Sequence, residues 1–357
     1  MNSKTLADNQ GVALLITLAV IAVVVTAALE INRRARSDAV YSAALGKQLV
    51  VSQMAASGVH LAMALLVKDR RESKTDSVQE AWADPESIQQ YLGDFPFDAG
   101  QMSVKITDER AKIQVNALVI YPEGRFADPG QYRIWTRFAQ QMAMRADLPE
   151  AAEPLTLVHS LKDWLDRNDG DAVTGLTGAE SDYYRDLDPP YSCRNGPIPH
   201  LGELARVKGV SSELLAALGG IEGISRYLSV YGLNLAAAPG PAYDGRININ
   251  TADVTVLSVL LPETHVHLAQ AIADYREASE GGAYRHSLLQ PDWYREVPGA
   301  GDLTIDPKLI TVSSDVFRIE AAAGLDNRLA TISAVVRREQ DPESGRWKCR
   351  VLQWDEE

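Results

Sequence analysis

Cysteine is nearly absent: Cys193 and Cys349 are the only two in 357 residues. Two such distant thiols make no zinc-ligand cluster. They fit one disulfide in an oxidising compartment and two free thiols in a reducing one. Positive charge is also in short supply, with 35 Lys and Arg against 48 Asp and Glu and a net charge of −13. Binding to phosphate needs a basic face, so a nucleic-acid partner is not expected, nor is docking on anionic lipid headgroups. The chain has no Gly-x-Ser-x-Gly, no phosphate loop and no His-Glu-x-x-His. His265 and His267 have no obvious third ligand, and no enzyme is expected. Proline is missing from residues 31–69, and the only glycines there are Gly46 and Gly58. A helix entering this stretch therefore meets no strong breaker.

What is present starts with an apolar run. Residues 12–29 carry no charge, and Thr17 and Thr26 are their only polar members. Eighteen helical residues span about 27 Å, close to the hydrocarbon thickness of a bilayer. A buried core helix of that length would show a polar stripe. The run therefore reads as a transmembrane segment. Leu29-Glu30-Ile31 follows without a turn, so the helix is expected to continue rather than end at a signal-peptide cleavage site. From residue 30 to 69 the chain reads as an amphipathic continuation. Gln48, Ser52, Ser57 and His60 recur at helical spacing, with Leu45, Leu49, Met54, Leu61 and Leu65 largely between them. Unbroken, residues 12–69 form a rod of roughly 85 Å. Arg33, Arg34 and Arg36 follow the span, and the positive-inside rule taken alone would leave the body in the cytoplasm.

The body alternates between two kinds of pattern. Residues 85–92 suggest a short helix. Residues 102–108 and 111–116 alternate apolar and polar and predict a β-hairpin turning at Asp108-Glu-Arg. Helical candidates follow at 132–145, 155–165, 200–207, 211–217, 224–231, 253–260 and 266–277. Strand patterns return at 316–323, 329–337 and 347–354. Strands flanking a helical block imply an α+β fold split by an insertion.

Two segments carry possible chemistry. Between Asp163 and Asp188 the chain concentrates carboxylates in a glycine-containing loop, a composition that suits a hard cation such as calcium. The EF-hand pattern fails: Gly170 falls one position early and Thr177 stands where a glutamate should close the loop. A plain solvated acidic loop is the competing reading. The second segment, Gly245-Arg-Ile-Asn-Ile-Asn-Thr-Ala-Asp, resembles helix-hairpin-helix modules of DNA-binding proteins. Its hairpin position, Leu261-Pro-Glu-Thr-His-Val, lacks the glycine needed for close phosphate approach. The fold of such a module is thus expected here without its phosphate site.

A short polar leader ending in Gly11, followed by Val12-Ala-Leu-Leu-Ile16, resembles the precursors of the type IV pilin class. Asp163-Trp-Leu-Asp166, Gly178-Ala-Glu180 with Tyr184, Pro189-Pro-Tyr, Asn195-Gly-Pro, Leu201-Gly-Glu-Leu and Ile247-Asn-Ile-Asn-Thr-Ala, in that order, look like the K-type minor pseudopilins of type II secretion (the general secretion pathway protein K family). The resemblance implies cleavage between Gly11 and Val12 by a prepilin peptidase and methylation of the Val12 amine. It implies a single-pass protein of the bacterial inner membrane with its body in the periplasm, the leader overriding the arginines. The implied partners are the other minor pseudopilins, of I and J type, and the inner-membrane secretion platform. The implied role is at the pseudopilus tip, starting assembly and supporting protein export. Family members bind calcium in the helical domain; carried over by motif, the ligands would be Asp166, Asn168, Asp169, Asp171, Glu180 and Asp182. In the periplasm Cys193 and Cys349 become candidates to pair.

The expected organisation is then a leader (1–11), a transmembrane segment (12–29), its amphipathic continuation (30–69), a first pseudopilin part (70–130), a helical insertion of helix-hairpin-helix or SAM-like type (131–300) and closing pseudopilin strands (301–357). Pilins usually have glutamate at the fifth mature position, where this chain has Ile16. A subunit with no neighbour above it has no amine for that carboxylate to meet, so its loss suits a tip subunit. Alternatives from the same residues are a minor tip pilin of a type IV pilus and a membrane-anchored helix-hairpin-helix DNA receptor.

Overall fold

The computed structural model describes residues 10–94, 97, 99–146, 153–169, 173–235 and 237–356; residues 1–9 of the leader lie outside this set. The apolar run and its continuation form one helix, α1, Gln10–Glu72. It is the one helix among the described residues long and apolar enough to cross a membrane. Within the span, Thr17 Oγ1 donates to the Leu14 carbonyl at 2.8 Å and Thr26 Oγ1 to the Ala22 carbonyl at 2.7 Å. Both hydroxyls are thus satisfied inside the helix, as a lipid environment demands.

Only the last third of α1 is packed. Val51, Met54, Ala55, Val59, Ala62, Leu65 and Leu66 are buried, at spacings of three and four. Leu45 and Leu49, expected on the packed face, are exposed. They flank Lys47 and Gln48, which reach Asp326 and Leu329, but both leucine side chains stay mostly exposed. The middle of the buried face, Ala55, Gly58, Val59 and Ala62, is small or β-branched, and there the sheet comes close. A Cβ on Gly58 would lie 2.8 Å from Met102 Sδ and 3.2 Å from Ala321 Cβ.

The helix packs on a four-stranded antiparallel sheet of β1 (Gln101–Asp108), β2 (Val316–Leu325), β3 (Arg328–Gln340) and β4 (Trp347–Glu356), in that spatial order. Phe317, Ile319, Ala321, Ala323, Ile332, Ala334 and Val336 face α1 and form a core with Trp82 and with Ile88 and Leu92 of α2 (Pro85–Gly93). Lys47 Nζ meets Asp326 Oδ2 at 2.5 Å, and Arg338 meets Asp69 at 3.0 Å. The β2–β3 turn therefore lies toward the membrane span, and the opposite end of the sheet lies at the far end of α1.

The expected hairpin of 102–108 and 111–116 does not form. Asp108 caps a 3-10 turn at Glu109–Ala111, accepting a bond from the Arg110 N–H, and the chain leaves the sheet there. Ile113–Gln114 pairs in parallel with Leu228–Ser229 instead. The neighbour of β1 is β2, with Asp108 opposite Phe317. Everything between these residues is inserted at the far end of the sheet, in a second hydrophobic core. The boundaries at 131 and 300 fall inside this core: Ile113, Val115, Leu118, Leu303, Ile305 and Ile310 all belong to it.

The insertion contains α3 (Pro129–Arg145), α4 (Pro154–Leu165), α5 (Ser181–Arg185), α6 (Ser212–Ala217), α7 (Gly220–Ile224), α8 (Val254–Leu260) and α9 (Ala269–Glu277). The segments expected at 200–207 and at the start of 266–277 are 3-10 turns. The helix expected at 224–231 is not one: Leu228–Ser229 is extended. Buried Trp135, Trp164, Trp293 and Tyr184 supply much of the core volume.

The Ile247-Asn-Ile-Asn motif holds the insertion to the sheet. Asn248 Nδ2 reaches the Asp76 carbonyl and Asp108 Oδ2, both at 2.9 Å. Asn250 Nδ2 donates to the Leu288 carbonyl at 3.1 Å, and its Oδ1 accepts from Trp293 Nε1 at 2.7 Å. Both asparagines are fully buried. Their side chains face inward, which is the physical reason for the motif and gives no support to the DNA-receptor reading.

Candidate metal centre

The acidic segment folds around the C-terminal end of α4. That helix buries Leu161, Trp164 and Leu165 on one side. The same turn carries Asp163 and Asp166, three residues apart and therefore on one face. Both carboxylates are buried, as is Glu180 immediately before α5. Carboxylate oxygens of the three lie within 4.8 Å of one another.

Each has a different environment. Asp163 organises the following loop: it accepts from the Thr174 N–H at 3.0 Å, the Thr174 hydroxyl and the Ala179 N–H at 3.0 Å. A Cβ on Gly178 would lie 2.1 Å from Asp163 Oδ2, so glycine there permits the approach. Asp166 accepts from the Asn168 N–H at 3.1 Å and is ion-paired with Lys162. Glu180 Oε2 is buried with no hydrogen-bond partner. Burial, reinforced by Asp163 and Asp166, pushes Glu180 up to about 8, against the opposing pull of Lys162. An orphaned buried carboxylate oxygen facing two further carboxylates is the donor set of a hard cation. With all three ionised, the Lys162 ammonium would leave two negative charges, which a divalent ion would balance and which otherwise favour a proton on Glu180. The residues therefore fit calcium.

The sequence-derived ligand set divides. Asp166 and Glu180 come together. Asn168 bonds Asp166 through its backbone only, at the loop start. Asp169 stands at the rim, accepting from the Ser181 N–H at 3.3 Å, with Arg185 at 3.7 Å. Asp182 does not join them: its side chain is 91% exposed and pairs with Arg185 at 3.1 Å. Asp171 lies outside the described residues. Asp163 and Lys162 were missed as site residues, although the i,i+3 and i,i+4 spacings to Asp166 were signals for both.

The two cysteines are free. Cys193 sits in the insertion core with its thiol 3.4 Å from the Asp163 carbonyl, and burial pushes it up to about 12. Cys349 is on β4, 3.7 Å from the Met63 carbonyl. They belong to different cores, so the expected pairing is not formed.

A second acidic group, Asp69, Asp76 and Glu80, lies at the far end of α1. Here Arg338 already supplies the counter-charge to the two aspartates, and Glu80 accepts from Trp82 Nε1 at 2.9 Å and the Ser77 N–H at 2.9 Å. Its role is structural.

A long N-terminal helix, apolar enough in its first part to cross a membrane and packed at its far end on an antiparallel sheet, is a pilin-like arrangement. Residues 111–221, which include the carboxylate trio, match the first domain of type II secretion system protein K. Type II secretion system protein K of Aeromonas hydrophila is 27% identical over 212 residues, 58% of this chain and 61% of that protein's length. The Pectobacterium carotovorum protein of the same name is 28% identical over 282 residues, 75% of each chain. The fold is similar to a chain in the GspK-GspI-GspJ complex from the enterotoxigenic Escherichia coli type 2 secretion system. The TM-score is 0.57 at 20% identity, over 91% of this chain and 99% of that one. The chain is thus similar to type II secretion system protein K in its helical insertion by family model and over a longer stretch by sequence, and it shares the fold of a chain in that complex.

Proposed function

We propose that the protein is the tip subunit of a type II secretion pseudopilus, which starts assembly with the I- and J-type minor pseudopilins and so supports export across the outer membrane. The observation that carries this reading is where the insertion leaves and rejoins the sheet, between Asp108 and Phe317 at the end of the body farthest from the span. A mass placed there stands over the end of the rod, where another subunit would have to stack. It suits a subunit that caps the fibre and suits an interior one poorly. The relative's complex with GspI and GspJ supports the same partners here.

On this reading the prepilin peptidase cuts between Gly11 and Val12, the Val12 amine is methylated, and α1 waits in the inner membrane with the body in the periplasm. From there it enters the fibre through the secretion platform. The role is architectural rather than enzymatic. Calcium would be held by Asp166 and Glu180 with Asp163 beside them, and would neutralise the buried carboxylates. Co-purification of the detergent-solubilised full chain with I- and J-type pseudopilins tests the proposal. A ternary complex is expected, weakened by a calcium chelator. Recovery of the chain with neither partner would overturn the reading.

A further inference from the structure

We infer that Lys162 is a displaceable counter-ion for the carboxylate trio: its ammonium balances Asp166 when no divalent ion is bound, and must swing out to solvent when one binds. This rests on the cation reading above. Lys162 stands one helical turn before Asp166 on α4 and is ion-paired with Asp166 Oδ2. Its Nζ is also 3.6 Å from Asp163 Oδ1. The ammonium therefore sits against two of the three carboxylates, while Glu180 Oε2 stays without a partner.

An ammonium and a divalent ion seek the same point of negative potential. Carboxylate oxygens within 4.8 Å of one another leave little room for both. Two like charges at such separation repel strongly in a partly buried site. Lysine is suited to leaving. Its charge is a compact point on a flexible stem, and it makes no fixed bidentate fork. The side chain is 15% exposed, so a route to water exists.

The scaffold need not move with it. Asp163 holds the loop through Thr174 and Ala179, and Lys208 Nζ holds the carbonyls of Thr177 and Gly178 at 3.1 and 3.2 Å. Exchange of lysine for calcium therefore leaves the loop in place and brings an ammonium to the surface. Expelling the lysine also weakens the site. Its affinity is expected in the range of extracellular calcium modules, roughly 10⁻⁴–10⁻³ M.

Two measurements on the full chain in detergent test this. Calorimetric calcium titration compares the native protein with Lys162→Met, which is expected to bind at least about tenfold more tightly. Equal or weaker binding by the variant overturns the proposal. Separately, limited acetylation of the native protein is read by peptide mass spectrometry, with exposed Lys105 as internal reference. Lys162 is expected to react several-fold faster once calcium is added. Calcium binding with unchanged or slower labelling of Lys162 overturns the counter-ion role and spares the metal centre. Absence of calcium binding by both proteins overturns both.

Discussion

Arg338 Nη2 lies 2.5 Å from Asp76 Oδ1, and its other terminal nitrogen lies 3.0 Å from Asp69 Oδ2. The same guanidinium donates to the carbonyls of Leu66 and Ser314, each at 3.0 Å, with its carbon 4.9 Å from the centroid of the Phe317 ring. One buried side chain of β3 thus joins the end of α1, the loop after it and the segment entering β2. Removing one partner of a buried ion pair leaves an uncompensated charge. Arg338→Met is therefore expected to cost about 3–5 kcal/mol. Thermal unfolding of the detergent-solubilised chain checks this, and adding Asp76→Asn should recover part of the loss. A variant within about 1 kcal/mol of the native protein would mean that the cluster contributes little to stability.

The adjoining joint responds to pH. Asp108 is fully buried and accepts from Asn248 Nδ2, the Thr251 and Ser314 hydroxyls and the Arg110 N–H. Burial pushes it up to about 6; the Ser314 and Thr251 hydroxyls oppose the shift and nearby Asp76 adds to it. The folded protein then holds this proton more tightly than the unfolded chain, whose carboxyl titrates near 3.9. The contribution is full below about pH 4 and is lost as pH rises through about 6, a change of roughly 3 kcal/mol. Asp108→Asn cannot titrate. Its stability deficit relative to the native protein should shrink from pH 4 to pH 7, as followed by unfolding at matched pH. A deficit that stays flat or grows with pH would contradict the assignment.

At the proposed cation site, Asp166→Asn and Glu180→Gln each remove a buried carboxyl group, while Asp182→Asn alters an exposed residue paired with Arg185. Calorimetry should show calcium binding weakened at least about tenfold by the first two and changed less than about twofold by the third. The reverse order would return the site to the exposed rim, where Asp169 and Asp182 lie.

The rod and the last three strands were legible because their periodicity is strong and local: 3.6 residues along α1, two along β2, β3 and β4. The partner of β1 was not, because β2 is separated from it by the whole insertion, and Asp108-Glu-Arg is as good an exit turn as a hairpin turn. On α1 large residues do not mark the packed face. Leu45 and Leu49 look like core, yet the sheet sits against Ala55, Gly58 and Ala62. Asp166 and Glu180 stood out in a loop of carboxylates. Asp163 and Lys162 were hidden inside a helix, where charges ordinarily mean a solvated face. The asparagines at 248 and 250 resembled a DNA module because the same turn chemistry serves an internal joint.

Close packing at Gly58 gives a further expectation. Any Cβ there meets Met102, Val104 and Ala321, the nearest contact at 2.8 Å. Met102 can yield; the strand atoms have less freedom. Gly58→Ala should gain helix propensity but lose packing, and Gly58→Leu should force α1 away from the sheet at a cost of about 1–3 kcal/mol or more. Melting of the two variants against the native chain separates these effects. Native-like melting of Gly58→Leu would show that the contact is not tight.

Ile16 tests the tip assignment itself. In the span it is an exposed apolar residue on α1 with only apolar residues and threonines near it in sequence. In an interior pilin subunit a glutamate at this place meets the amine of a neighbour, and the pair offsets its burial. A tip subunit has no neighbour above it. Ile16→Glu would then hold an unpaired carboxyl group in hydrocarbon, at a cost below the roughly 2.5–3.5 kcal/mol that insertion scales give at a span's centre. Secretion by the host and recovery of the complex with the I- and J-type pseudopilins should both fall, whereas Ile16→Leu should leave both unchanged. Full secretion with Ile16→Glu would mean that the carboxylate finds an amine, and so that another subunit stands above this one.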